Sequence, residues 1–338
     1  MTGGLNELAS SLGIDPLVPT TPSEPSFTTI VRTQGRRAGS LAEALASIRA
    51  QTYPNHDTVL VVHDADPAVA TAVDDALPDS ARPGGLQVIT AAGGGRSRPL
   101  NVGLAAATGD YVCFLDDDDL VTEHWLQAFA EAAATTPGSM IRAVTLSQQW
   151  TTDGGEQPVR ATGPIERPFA PRFDLLAHVS HNETPLCSVA LPRAAMAAFG
   201  IAFDEALPVF EDWELFMRVA QLCGVTSIDA ETSLYRRLDE GNASETVDES
   251  IWHETHGRVI DRLSARPVIV PQGDARRIAS AHFVPDAGSR HDADLAVLRA
   301  EHDALHAEFD RLTRSPIRMA RAFLSQVRRA VRRRRVSD

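Results

Sequence analysis

The stretch "GDYVCFLDDDDL", Gly109 to Leu120, runs a short apolar segment straight into four consecutive aspartates. An apolar run of this length, bounded by turn formers, reads as a buried strand. Adjacent carboxylates at its end repel one another and cost stability unless something cationic sits among them. Oxygen-only ligands select a hard divalent cation such as Mg²⁺ or Mn²⁺, and few protein ligands leave positions for substrate phosphates. An isolated Asp-rich run is otherwise a solvated acidic loop, so its surroundings decide the reading.

Those surroundings alternate strand and helix. Upstream, "SFTTIVRT" reads as a strand, "SLAEALASIRAQTY" as a helix with Ser40 as N-cap, and "DTVLVVHD" as a second strand. A helix near 67 to 77, a strand at "LQVIT" and a helix at "RPLNVGLAAATG" closed by Gly109 follow. Such a pattern predicts a mostly parallel sheet flanked by helices, with ligands at the carboxyl ends of its strands, where Asp64 and Asp116 to Asp119 fall. Downstream come a helix at "TEHWLQAFAEAAA" with Thr122 as N-cap, a strand at "MIRAVTLSQQW", a turn at "TDGGEQ" and a strand over 186 to 191. The helix "FEDWELFMRVAQLCG" carries Glu211 and Asp212 in its first turn, where acids also serve as dipole partners.

Composition bounds the function. With 338 residues, 43% of them hydrophobic, the chain can build a substantial core. No run approaches the roughly 20 apolar residues of a membrane span, and no signal sequence is apparent, which gives a cytoplasmic expectation. Cys113, Cys187 and Cys223 stand singly in apolar stretches and are expected as buried thiols. The net charge of -13 hides an asymmetry: residues 311 to 338 hold ten arginines and one acid. The chain has no lysine.

The expected organisation is a loosely held leader over 1–25, a first half over 26–150, a second half over 151–265 and a linker over 266–290. The remainder, 291–338, reads as a helical extension. Leu295, Leu298, His302, Leu305, Phe309 and Leu312 follow a coiled-coil spacing that fits either a homodimer or a helix packed on the main domain. Ile317, Ala320, Leu324, Val327 and Val331 continue it as a basic amphipathic helix suited to an anionic membrane surface. Nothing else in the chain reads nucleic acid.

Three stretches carry a resemblance. "NVGLAAATGDYVCFLDDDD", "SFTTIVRTQGRRAGSLAEALASIRAQTYPNHDTVLVVHD" and "FDEALPVFEDWELFMRVA" resemble, in this order, the motifs of family 2 glycosyltransferases across residues 26 to 240. The resemblance implies a GT-A fold, Rossmann-like, and inverting transfer of a sugar from a nucleotide diphosphate donor. The hydroxyl acceptor would be a polysaccharide, a lipid-linked glycan or a smaller molecule. It implies Asp118 and Asp116 as metal ligands for Mn²⁺ or Mg²⁺, and Thr33, Asp64, Arg98, Asn101, Asp116 and Asp117 as donor contacts. Asp212 matches the base that takes the acceptor proton, with Glu211 orienting it. Trp213 and Arg236 fall on the acceptor side, and His178 and His181 offer a further contact or metal ligand.

The chain departs from the family pattern at Pro99-Leu100-Asn101, where an arginine is usual, so Arg96 or Arg98 is expected to replace it after the "GGG" turn. A sugar nucleotidyltransferase, which resembles this fold, is disfavoured because those enzymes use an active-site lysine. A catalytically silent sugar-nucleotide-binding scaffold acting through the C-terminal helices remains the alternative.

Overall fold

The computed structural model describes residues 4–13, 15–64, 85–153, 160–238, 247–270 and 274–282. Met1–Asp274 form one unit and Ala275–Asp338 a second, whose described part is the end of helix α9 (Asp274–His282). The helix expected near 67–77 and the coiled-coil and basic segments of 291–338 lie outside the described residues.

Among the described residues, one nine-stranded sheet organises the first unit, with order β3-β2-β1-β4-β8-β6-β9-β5 and β7 paired to β6. Its parallel part is β1 (Phe27–Thr33), β2 (His56–His63), β3 (Leu86–Ala91) and β4 (Tyr111–Asp116). β1 and β4 are buried over almost their whole length, as a central strand covered on both faces must be. Two separate apolar clusters supply that cover. One is built on α2 (Ala38–Arg49) and α4 (Trp125–Thr135); the other holds side chains of α3 (Ser97–Ala106) and α7 (Glu211–Cys223).

Beyond β4 the sheet is mixed rather than parallel. β8 (Val189–Pro192) runs antiparallel to both β4 and β6 (Met140–Thr151), whereas β9 (Val225–Leu238) is parallel to β6. Short β5 (Leu120–Val121) and β7 (Arg160–Glu166) pair antiparallel to β9 and β6. The expected boundary at 150 falls within β6, so both halves share one sheet.

Several local expectations shift. The leader is packed rather than loose: α1 (Leu5–Ser11) buries Ala9, and Asn6 bonds the backbone of Leu17 and Val18. A Cβ on Gly4 would stand 2.3 Å from the backbone nitrogen of Gly224, so that position requires glycine. Helix α2 begins at Ala38 after a left-handed turn at Gly35, which puts Ser40 inside the helix and buried instead of capping it. Helix α4 begins at Trp125, three residues past Thr122. Gln51 satisfies its first turn, accepting from Leu126 N at 2.9 Å and donating to the Thr122 carbonyl at 2.7 Å. The expected strand at 186 begins as a 3₁₀ turn, Leu186–Ser188, before β8. The three cysteines are free thiols, Cys113 and Cys187 buried and Cys223 half-buried. Between β8 and α7 sits α6 (Arg193–Ala198).

Helix α3 ends before Gly109, whose role is steric. A Cβ there would lie 2.6 Å from Thr28 N and 2.7 Å from Phe27 C, so β4 enters the sheet only if this position is bare. Gly109→Ala is therefore expected to destabilise the fold by about 1–3 kcal/mol in denaturant unfolding. Gly257, exposed in helix α8 (Glu249–Ser264) with open space around it, is the control. Gly257→Ala is expected to stabilise by up to about 1 kcal/mol.

Candidate active site

The parallel register of β1 and β4 sets Arg32 beside Asp116 at the carboxyl ends of both strands. The guanidinium grips the carboxylate with both prongs, Nε to Oδ1 at 2.6 Å and Nη2 to Oδ2 at 3.0 Å. The next residue of β1 repeats the arrangement with a neutral donor, as Thr33 Oγ1 donates to Asp117 Oδ2 at 2.5 Å. Arg37, at the start of α2, pairs with Asp118 and stands 3.7 Å from Asp117.

The run itself turns back, Asp119 N donating to the Asp116 carbonyl at 3.2 Å. Asp119 is thereby buried, and its Oδ1 accepts from Arg236 N at 2.9 Å. The Arg236 side chain is buried too. It donates to the Asp118 carbonyl and, at 2.6 Å, to Glu43, and it lies 5.2 Å over the Trp150 ring. Arg236 is thus a brace between β9 and the acidic turn rather than the start of an open acceptor loop.

The four aspartates do not titrate alike. Burial pushes Asp116 up, but the Arg32 guanidinium outweighs it and holds that carboxyl below its usual range. Burial and the adjacent Asp118 drive Asp117 up to about 7, and burial with Asp116 raises Asp118 despite Arg37. Asp119 is pushed well up by burial and by Asp118. A cluster of hard oxygens this short of positive charge fits a divalent cation. Among the described residues, no group of three or more His, Cys, Asp or Glu converges as a metal cage, so an ion here would take most of its ligands from elsewhere. Asp116 spends both oxygens on Arg32, which leaves Asp118 as the better-placed carboxylate.

A second pair of carboxylates joins the first through arginine. Glu211 is buried at the start of α7, 3.4 Å from Arg32 Nη1 and 2.6 Å from Arg96 Nε, while the Arg96 carbonyl accepts from Arg32 at 2.9 Å. Asp212 accepts from Asn182 Nδ2 at 3.2 Å and from Trp213 N at 2.7 Å. Burial and the charge of Glu211 push it up to about 6. Asn182 is itself fixed from below. Its Oδ1 accepts from Thr184 N at 3.0 Å, and buried Arg142 holds Thr184 Oγ1 at 2.9 Å and the Glu183 carbonyl at 2.8 Å.

Other expected residues fall outside this array. Asn101 is tied to the loop after α6, exchanging bonds of 2.9 Å with the Phe203 backbone and reaching Glu205 at 2.9 Å. Arg98 also faces Glu205, so Arg96 is the arginine of the "GGG" turn that meets the carboxylates. Asp64, at the end of β2, accepts from Gly93 N at 2.7 Å and so pins that turn, where Gly93 and Gly94 adopt positive φ.

Trp213 is fully buried and donates to the His178 carbonyl at 2.7 Å, so it presents no face for a sugar. Both ring nitrogens of buried His178 are engaged, by the Asp174 carbonyl and Thr184, and burial lowers its pKa to about 4. It is no metal ligand. His181 pairs with Glu183 on the surface. The sequence reading missed Arg32, Arg37 and Asn182. An arginine inside the otherwise apolar "IVRT" was the available signal for the first.

The chain resembles known proteins in sequence and in fold. Residues 29–191, from β1 through β8, match the profile of glycosyl transferase family 2. The succinoglycan biosynthesis protein ExoM of Rhizobium meliloti is 25% identical over 246 residues, 66% of this chain and 72% of that protein. Among solved structures, S. aureus TarS in complex with UDP-GlcNAc superposes with a TM-score of 0.50 at 21% identity, over 70% of this chain and 65% of that one. The mannosyltransferase PcManGT from Pyrobaculum calidifontis, in complex with GDP-Man and Mn²⁺, superposes with a TM-score of 0.50 at 18% identity, over 94% and 89% of the two chains. The profile spans the strand pair that holds Arg32 against Asp116: residues 29–191 match glycosyl transferase family 2, and the fold is GT-A.

Proposed function

We propose that this chain is an inverting glycosyltransferase that moves a sugar from a nucleoside diphosphate donor to a hydroxyl acceptor, in the synthesis of cell-surface polysaccharide or glycolipid. The observation that carries the reading is the continuous array Asp116–Arg32–Glu211, with Arg96 on Glu211 and Asp212 next in the chain. It couples an acidic turn suited to a diphosphate-bound cation with a carboxylate poised near neutrality.

Asp118, and Asp116 if Arg32 lets it go, would hold Mn²⁺ or Mg²⁺. When bound, such an ion neutralises the charge that develops on the departing diphosphate. Thr33 and Asp117 fix the turn that faces the nucleotide, and Arg96 offers a guanidinium to its phosphates. Asp212 accepts the acceptor's proton as its oxygen attacks the anomeric carbon from the face opposite the diphosphate, and burial, with the charge of Glu211, holds that carboxylate's pKa high enough for the task. The partners named for the relatives, succinoglycan synthesis, UDP-GlcNAc and GDP-Man, support a nucleotide-sugar donor and an extracellular glycan product. The presence of Asp116, Asp118 and Asp212 together favours this reading over a silent scaffold.

The basic tail of 311–338 is proposed to rest on anionic lipid at the cytoplasmic face of the membrane. Among the described residues no helix is long and apolar enough to cross a membrane. The heptad-like spacing of 295 to 312 is proposed as a homodimer contact.

Asp212→Asn is expected to lower release of nucleoside diphosphate from UDP-GlcNAc or GDP-mannose with Mn²⁺ by about 10²-fold or more. The melting-temperature shift given by UDP or GDP with Mn²⁺ should persist; an unchanged rate would sink the base assignment. Asp117 yields a pH prediction. Its folded pKa is raised, so the folded state binds a proton more tightly than the unfolded chain, and the free protein gains stability as pH falls through about 7. Asp117→Asn should remove that gain between pH 8 and pH 6.5 in thermal melts. For the tail, the full chain is expected to sediment with phosphatidylserine vesicles far more than a chain ending at Thr313, and equal pelleting excludes the membrane reading.

A further inference from the structure

Helix α8 lies beyond residue 191, where the family profile ends, and turns one stripe inward. Thr255, Val259 and Leu263 on that stripe are buried, and Trp252 and His256 extend it toward the start of α7 at helical spacing. Both meet Phe210. Its ring stands edge-on to Trp252 with centroids 4.8 Å apart, to Trp213 at 5.4 Å and to His256 at 6.0 Å. His256 also stacks on Trp213 at 5.3 Å, and its Nε2 is 2.8 Å from the Ser180 carbonyl.

Phe210 is the residue immediately before the carboxylate pair, and its backbone is left-handed, φ 60° and ψ 19°. For a bulky side chain that conformation is strained and persists only where the surroundings over-determine it. It sets the direction in which α7 begins, since the Phe210 carbonyl already accepts from Glu214 N at 3.1 Å. Release of Phe210 would therefore turn Glu211 and Asp212 away from Arg96 and Asn182. Catalysis is sensitive to such movement, a displacement of about 1 Å costing up to roughly 10²-fold in rate.

We propose that α8 is the brace of the catalytic carboxylate: Trp252 is a positioning residue that clamps Phe210 in its left-handed conformation and so holds Asp212 where it takes the acceptor proton. The proposal rests on Asp212 as the base, and its test separates the two claims. Wild type, Trp252→Ala, Trp252→Phe and Asp212→Asn are compared for UDP and GDP release from UDP-GlcNAc and GDP-mannose with Mn²⁺. The melting shift with UDP·Mn²⁺ and GDP·Mn²⁺ and backbone hydrogen exchange are measured alongside.

Trp252→Ala is expected to exchange about tenfold faster at residues 211–214, with β1 and β4 as protected as in wild type. Its kcat should fall about tenfold while donor KM and the nucleotide-induced melting shift hold within about twofold. Trp252→Phe, which keeps a ring against Phe210, should restore both exchange and rate. Unchanged exchange at 211–214 in Trp252→Ala overturns the brace whatever the activity. So does a parallel loss of rate, nucleotide shift and β1 protection, which marks general loosening. Undiminished turnover by Asp212→Asn, with fast exchange in Trp252→Ala, removes the base assignment and leaves the clamp standing.

Discussion

The pairing of Arg32 with Asp116 is the contact on which the site depends. Two neighbouring parallel strands end in register, one with a cation and the other with an anion, and the bidentate geometry fixes both ends to within a bond length. Burial disfavours the Arg32 charge, but Asp116 and then Glu211 outweigh it and hold the guanidinium firmly protonated. Truncating Arg32 would leave a partly buried carboxylate unmatched, and truncating Asp116 would leave Arg32 to Glu211 alone, each costing more than the pair itself contributes. From this pair the acidic turn extends one way, through Thr33 and Arg37, and the α7 carboxylates extend the other, through Arg96.

Much of this was legible in the sequence because strands announce themselves through apolar runs. "FTTIVRT" and "YVCFL" identify two core strands, and an acidic run after the second marks a strand mouth. Helix starts were less legible. Ser40 and Thr122 are good capping residues by type, yet Gly35 and the Gln51 side chain settle where α2 and α4 begin, and those are matters of backbone turn and tertiary contact. The strand order beyond β4 was also hidden, since periodicity says nothing about direction and β8 runs opposite to β4.

Residue roles divided along the same line. Asp116 and Glu211 meet on Arg32, with Asp212 next in the chain, and their places at a strand end and a helix start were readable from residue type and pattern. Asn101 and Trp213 fit the same motifs by type, but one spends its amide on the loop at 203–205 and the other its indole on the core. Side-chain chemistry was readable in both cases; the direction in which each side chain points was not.

The absence of lysine bears on how the array works. A lysine at position 32 would meet Asp116 through a single ammonium and could lose its proton when buried, whereas guanidinium stays charged and serves several acceptors at fixed angles. Arg32 serves three: Asp116, the Arg96 carbonyl and Glu211. Its unyielding charge separates the carboxylates into two kinds. Asp116 is held ionised, while Asp117 and Asp212, farther from its fork, are raised by burial and neighbouring carboxylates to about 7 and about 6, and Asp118 is raised as well. Asp116 is thus the fixed anion around which the array is built, while its neighbours hold their protons more readily.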